Sequence, residues 1–408
     1  MSIIDTSREV EHFIELEEKF GAHNYHPLPV VLSNGKGVHV WDIHGKKYLD
    51  FLSAYSAVNQ GHCHPRILKA MIQQASRLTL SSRAYHNDQL GEYEQYITNL
   101  FGYDKVLPMN TGVEAVETAL KLCRRWAYEV KGVEANQANI LVANGNFHGR
   151  TIAAISASSD PSSYKGFGPY VPGLLKVEYN NIEALREALQ DKNVCGFLLE
   201  PIQGEAGVHI ANAEYLKALR KKCDEHCVLL IFDEIQSGFG RTGALFAFEN
   251  YGVIPDIMLI AKGMGGGLPI GAFVGSEKLM SCLTNNPVLG HITTFGGNAV
   301  CVAAAQATLE VLVDEKLYLR ALEIEKVIKE VLVHPKIKEV RCVGALCAIE
   351  FEDTELNMKI ISKCIEKGVI TDWFLHCSTA MRLAPPLIIS NKELRFALQQ
   401  IIASINEA

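Results

Sequence analysis

Between about residue 100 and residue 295 the chain alternates short apolar runs with stretches whose apolar residues recur at helical spacing. Residues 138–144 (ANILVAN), 194–202 (VCGFLLEPI), 228–234 (VLLIFDE) and 256–263 (DIMLIAKG) are unbroken runs rich in Ile, Leu and Val. A strand that is apolar on successive positions is covered on both faces, the condition of the interior of a parallel sheet. Between the runs, segments such as 213–226 (AEYLKALRKKCDEH) repeat apolar residues every three or four positions. The alternation predicts an α/β fold, a mostly parallel sheet with helices on both faces.

After about 296 the pattern changes. A long helical stretch (300–316, VCVAAAQATLEVLVDEK) is followed by strands within 340–351 (VRCVGALCAIEF) and a last helix. That helix opens with Ser390 and Glu393 at capping-box spacing. Residues 37–51 (GVHVWDIHGKKYLDF) read as a hairpin, and 2–20 as an acidic amphipathic helix. The expected division is a large domain over 56–295 and a small one built from 1–55 and 296–408.

Composition narrows the function classes. A chain of 408 residues is too long for one compact core. Its 39 Lys and Arg against 46 Asp and Glu, net −7, give no electrostatic case for nucleic acid or an anionic membrane. No run of 18 apolar residues occurs, so no membrane span is expected. The eleven cysteines form no CxxC pair. They are expected as reduced thiols of a cytoplasmic protein, since the acidic start is unlike a secretion signal.

The chemistry concentrates at the ends of the apolar runs. Lys262 ends one of them, ahead of a glycine-rich turn. A lysine there either snorkels to water or has its pKa lowered and is used covalently. Asp233, 29 residues earlier, closes another strand, so both fall where open parallel sheets bind ligands. Asp233 with Glu234 could also suggest magnesium and a nucleotide, but no GxxxxGK[ST] loop accompanies them. Thr111, Gly112 and Val113 precede a helix whose apolar stripe runs through 116, 119, 120, 123, 126, 127 and 130. Such a turn is either a plain cap or an anion site. Phe147, His148 and Arg150 follow a strand, offering a ring to stack and a guanidinium to clamp a carboxylate. Glu205 and Arg382 are further candidates in loops with Gly or Pro nearby. His62-Cys63-His64 has no partner pair at metal-ligand spacing, so no metal is expected.

Taken in order, eight motifs resemble the class III (ω-) aminotransferases, and among them most the ornithine δ-aminotransferases. They are GAHNYHPLPVVLSNGKG, SAYSAVNQGHCHP, LPMNTGVEAVETALKL, GNFHGRT, LLEPIQGEAGV, FDEIQSGFGRTG, AKGMGGGLPIG and TTFGGN, spread over nearly the whole chain. The resemblance implies the type I fold of pyridoxal-5'-phosphate (PLP) transferases, with a mainly parallel seven-stranded sheet and a small α+β domain. It implies a homodimer with active sites at the subunit interface. It also implies roles: Lys262 carries PLP as a Schiff base, Asp233 pairs with the pyridine nitrogen, Gln236 reaches the ring hydroxyl and Phe147 stacks on the ring. Thr111, Gly112 and Val113 hold the phosphate, His148 lies beside the cofactor, and Thr294 crosses from the other subunit. Tyr25, Tyr55 and Arg150 address the donor's α-carboxylate, while Glu205 and Arg382 form a switchable ion pair.

The implied reaction moves the δ-amino group of L-ornithine to 2-oxoglutarate. An acetylornithine or 4-aminobutyrate aminotransferase is the alternative, which FHGRT, GFGRTG and GGLPIGA favour. Trp373 and Phe374, ahead of Arg382, depart from the expected pattern. A PLP-binding protein without catalysis is a third reading, opposed by the complete set Lys262, Asp233, Gln236, Phe147 and Arg150.

Overall fold

A computed structural model describes residues 10–408. Seven strands form the main sheet. Across it they run Lys105–Met109, Gly271–Gly275, Ile257–Ile260, Leu229–Asp233, Val194–Leu199, Asn139–Ala143 and Leu174–Val177. All run in one direction except Gly271–Gly275, which is antiparallel to both neighbours, the edge strand Lys105–Met109 among them.

Side-chain alternation splits each strand between two cores. Ile140, Val142 and Ile231 pack with Val116, Ala119 and Cys123 of the Gly112–Trp126 helix. Leu141, Ala143, Leu230 and Phe232 pack with Leu216 and Leu219 of the Ala213–Glu225 helix. Both sets are buried, which is why the sequence shows unbroken apolar runs here.

Two four-stranded sheets lie outside this layer. In one, strands Leu32–Lys36, His39–Asp42 and Lys47–Asp50 are antiparallel, and Val369–Ile370 adds in parallel to the last. The other is antiparallel and joins Glu339–Val343, Leu346–Glu350, Cys377–Leu383 and Trp373–Phe374. The final helix, Asn391–Glu407, has the expected box: the Glu393 N–H donates to Ser390 Oγ at 3.2 Å, and Ser390 N–H to Glu393 Oε2 at 3.0 Å.

The N-terminal helix spans Val10–Phe20 with no buried residue, and residues 2–9 of the expected helix lie outside the described residues. One expectation is corrected. Cys342 and Cys347 oppose each other in register on adjacent strands and are joined as a disulfide, while nine cysteines are free. Their residue types gave no warning, because the pairing depends on hairpin register. Among the described residues no helix is long and apolar enough to cross a membrane.

Candidate active site

A cavity of about 470 Å³ opens beyond the carboxyl ends of the parallel strands. Lys262, Asp233, Gln236, Thr111, Gly112, Val113, Phe147, His148 and Glu205 are among the residues that line it.

Lys262 follows the Ile257–Ile260 strand in the left-handed region, at φ 45°. Enclosure by the pocket walls pushes its pKa below the ordinary lysine value, although Glu205, Asp233 and Glu200 pull the other way. Asp233 ends its strand with Oδ1 accepting the Ile235 N–H at 3.0 Å and Oδ2 at 2.7 Å from His148 Nδ1. Burial disfavours charge on His148, but the bond and charge of Asp233 outweigh it and raise its pKa. Glu234 points elsewhere and ties the 247–248 turn through two N–H bonds at 3.0 and 2.8 Å.

Thr111 and Glu114 form a capping box that leaves the N–H groups of Gly112 and Val113 without intrahelical acceptors, as any first turn does. Those groups and the helix dipole form an anion cup at the cavity wall. A Cβ at Gly112 would come within 2.8 Å of Ile235, so glycine is what lets strand end and helix start close up.

Arg382 is 1% exposed and meets Glu205 with both prongs, at 2.8 and 2.9 Å. Burial alone would raise the Glu205 carboxyl; the Arg382 charge reverses this and holds it at about 2. Gln236 Nε2 donates to Glu205 Oε1 at 3.1 Å, and the Leu375 N–H donates to Oε2 at 3.2 Å. The guanidinium lies 5.0 Å from the Tyr55 ring and 4.5 Å from that of Phe374. Tyr55 sits on a turn in which Ser53, Ala54, Tyr55 and Ser56 all have positive φ. Four such residues in succession cost roughly 1–2 kcal/mol each. Asp50, accepting the Leu52 and Ser53 N–H groups at 2.8 and 2.9 Å, and Ser53 Oγ, donating to Ala384 O, hold that turn.

Five expected site residues lie outside the cavity lining: Tyr55 and Arg382, which meet it through Glu205, and Arg150, Tyr25 and Thr294. Arg150 is exposed, 5.7 Å above the Phe147 ring. Tyr25 and Thr294 are exposed. Thr293, beside Thr294, accepts a hydrogen bond from Asn110, a cavity residue, at 2.9 Å. His62 is bonded to Asp50 at 2.7 Å.

The residue pattern also missed two carboxylates. Glu200 is buried in the cavity wall, accepts the Phe147 N–H at 2.9 Å, and is pushed by burial up to about 8. Its signal was available, since it closes an apolar strand as Asp233 does. Asp372 accepts from Arg382 Nε at 3.0 Å, and burial raises it to about 6. Nothing in its sequence context pointed to it.

The family model of the class-III aminotransferases matches residues 20–405. The chain is a class-III aminotransferase. This aminotransferase is 50% identical over 393 residues to the mitochondrial ornithine aminotransferase of Drosophila ananassae, covering 95% of this chain and 90% of that one. Among solved structures, the ornithine aminotransferase of Toxoplasma gondii superposes with a TM-score of 0.94 at 42% identity, covering 98% and 94% of the two chains. The acetylornithine aminotransferase of Elizabethkingia anophelis gives 0.88 at 47% identity, covering 98% and 100%.

Proposed function

We propose that this aminotransferase moves the δ-amino group of L-ornithine to 2-oxoglutarate, giving glutamate semialdehyde and glutamate, with PLP as cofactor. The closed Glu205–Arg382 pair carries the reading. A donor with no carboxylate beside its reacting amine meets a neutralised pair there. Glutamate and 2-oxoglutarate, whose reacting carbon bears a carboxylate, need the guanidinium bare. Relatives about half identical that are named ornithine aminotransferases support ornithine as the donor.

The cavity residues fit PLP: the anion cup at Gly112 and Val113 suits its phosphate, and the Phe147 ring suits its face. Asp233 suits its ring nitrogen, Gln236 its hydroxyl, and Lys262 the covalent attachment. When bound, PLP supplies an electron sink that acidifies the carbon bearing the transferred nitrogen. Lys262 Nζ, its pKa lowered by burial, takes the proton from that carbon and returns one to C2 of the 2-oxo acid. Asp233, fixed by His148, presents its carboxyl group to the cavity. Tyr25, Tyr55 and Arg150 would bind the donor's distal carboxylate and ammonium.

A homodimer, with Thr294 reaching the partner's phosphate cup, belongs to the same proposal. Val288, Leu289, Ile292 and Phe295, on the loop that bears Thr294, are all exposed and apolar, which supports it. So does the division into 56–295 and 1–55 with 296–408, given the pairing of Val369–Ile370 with Lys47–Asp50. Cytoplasmic residence is proposed from the nine free cysteines, against the single Cys342–Cys347 bridge.

The test is a donor panel of ornithine, acetylornithine, 4-aminobutyrate and lysine with 2-oxoglutarate, following glutamate. Ornithine should give the highest kcat/KM. Preference for acetylornithine, favoured by the Elizabethkingia anophelis relative, would replace the donor and leave the cofactor chemistry standing.

A further inference from the structure

Arg382 is held by more than Glu205. Its Nε donates to Asp372 Oδ1 at 3.0 Å and its Nη2 to the Trp373 carbonyl at 3.1 Å. The backbone N–H of Arg382 donates to Asp372 O at 2.9 Å, and Thr371 Oγ1 donates to Arg382 O. Rings of Tyr55 and Phe374 cover the guanidinium. If Glu205 leaves, the two outward N–H groups that it occupied are freed in a fork suited to a carboxylate. The other contacts stay. Arg382 would thus keep acceptors at Asp372 and Trp373 when Glu205 is displaced, and Glu205 would give up its two-pronged contact but not the Gln236 and Leu375 donors.

Asp372 gives Arg382 a second carboxylate. Its side chain is 12% exposed and also faces the Tyr55 phenol. The entering α-carboxylate takes the fork while the displaced Glu205 remains tethered beside the site. Three carboxylates then share one guanidinium where there were two, which favours protonation of whichever is least well paired. Glu205 and Asp372 share one guanidinium, and Glu205 has the two-pronged contact.

We propose that Asp372 is a positioning residue that fixes Arg382 for the incoming α-carboxylate and takes up a proton as that carboxylate binds. This rests on the reading of 2-oxoglutarate as acceptor. Burial, opposed by Arg382 and reinforced by Glu205, sets the Asp372 carboxyl at about 6. Above that pH the ionised form repels the dianion, and below it the repulsion is gone. Affinity should thus rise as pH falls from 8 toward 6, with proton uptake on binding. The other groups around it are Tyr55, with Tyr25 behind it, and Lys262 and His376 beyond Glu205. His376 has its pKa lowered, chiefly by burial, so it titrates further down.

The experiment is calorimetry of glutarate, a dicarboxylate without the reactive ketone, binding to the holoenzyme between pH 6 and 8.5. Two buffers of different ionisation enthalpy count the protons. Wild type should take up a fraction of a proton near pH 7 and bind more weakly as pH rises. Asp372→Asn keeps an acceptor for Nε but no charge. It should bind roughly tenfold tighter at pH 8, with a flat profile and no uptake. Asp372→Ala should bind more weakly than Asp372→Asn, having lost the acceptor. Glu205→Gln and His376→Gln should both retain the uptake. Wild type binding without uptake, or Asp372→Asn keeping the wild-type pH slope, overturns the inference. No saturable glutarate binding to wild type overturns the 2-oxoglutarate reading as well.

Discussion

Replacing Glu205 by glutamine tests the gate most directly. Both prongs of Arg382 are engaged, at 2.8 and 2.9 Å, with the two side chains 6% exposed or less. Burial opposes ionisation of Glu205, yet Arg382 brings its pKa from the ordinary 4.5 to about 2. At 1.36 kcal/mol per unit, that shift corresponds to roughly 3 kcal/mol favouring the charged, paired form. Glutamine keeps one carbonyl acceptor and loses the charge, so about half of this hold should disappear. Glutamate, which must displace residue 205, should gain about 1–2 kcal/mol, or about five- to thirtyfold in kcat/KM. Ornithine should gain nothing, because a bare guanidinium attracts its α-carboxylate to the wrong end of the cavity. Stopped-flow measurement of each half-reaction separately gives the two values. Equal factors in both half-reactions would refute the gate and leave Glu205 a structural residue. The sign of the pH effect follows from the depressed pKa. The pair's contribution is complete above the unfolded carboxyl's pKa and is lost only as pH falls through about 2. Between pH 5 and 9 the gate should therefore open by displacement, and the donor preference should show no step from Glu205.

Lys262→Ala should fold yet lose turnover by several orders of magnitude; borohydride should fix PLP on the wild-type peptide containing Lys262, and fixation elsewhere would overturn the assignment. Tyr25→Phe should weaken ornithine use by roughly 1–3 kcal/mol while scarcely touching the glutamate half-reaction, measured as separate kcat/KM values. Arg241 is fully buried and donates to the carbonyls of Ala345 and Pro385 and to Asn59, tying the 238–243 loop to two C-terminal turns. Arg241→Ala strands those acceptors and should cost about 3–5 kcal/mol in urea unfolding; a loss below about 1 kcal/mol would show that water replaces it.

The main sheet was legible because both of its faces are buried. Ile140 and Leu141 go to different cores, and each demands an apolar residue, so the run of 138–144 announces its strand without any knowledge of partners. Lys262, Asp233 and the Thr111 cap were legible for a related reason. A charged or capping residue at the end of such a run must lie at the sheet's rim, where ligands bind. Arg382 and Glu205 were candidates, but their residue types could not reveal a two-pronged contact between positions 177 apart in the chain. That contact needs the Cys377–Leu383 strand to be delivered by the second sheet to the end of the first. Asp372 and the left-handed turn under Tyr55 were invisible for the same reason. Asp372 is an ordinary residue between two short strands until folding places it on Arg382 Nε. Ser53 to Ser56 include no glycine, and Asp50 and the Ala384 carbonyl, the second distant in sequence, help to hold that backbone. Local pattern fixes what is buried on its own account; charge pairing and strained backbone depend on neighbours that only the tertiary structure supplies.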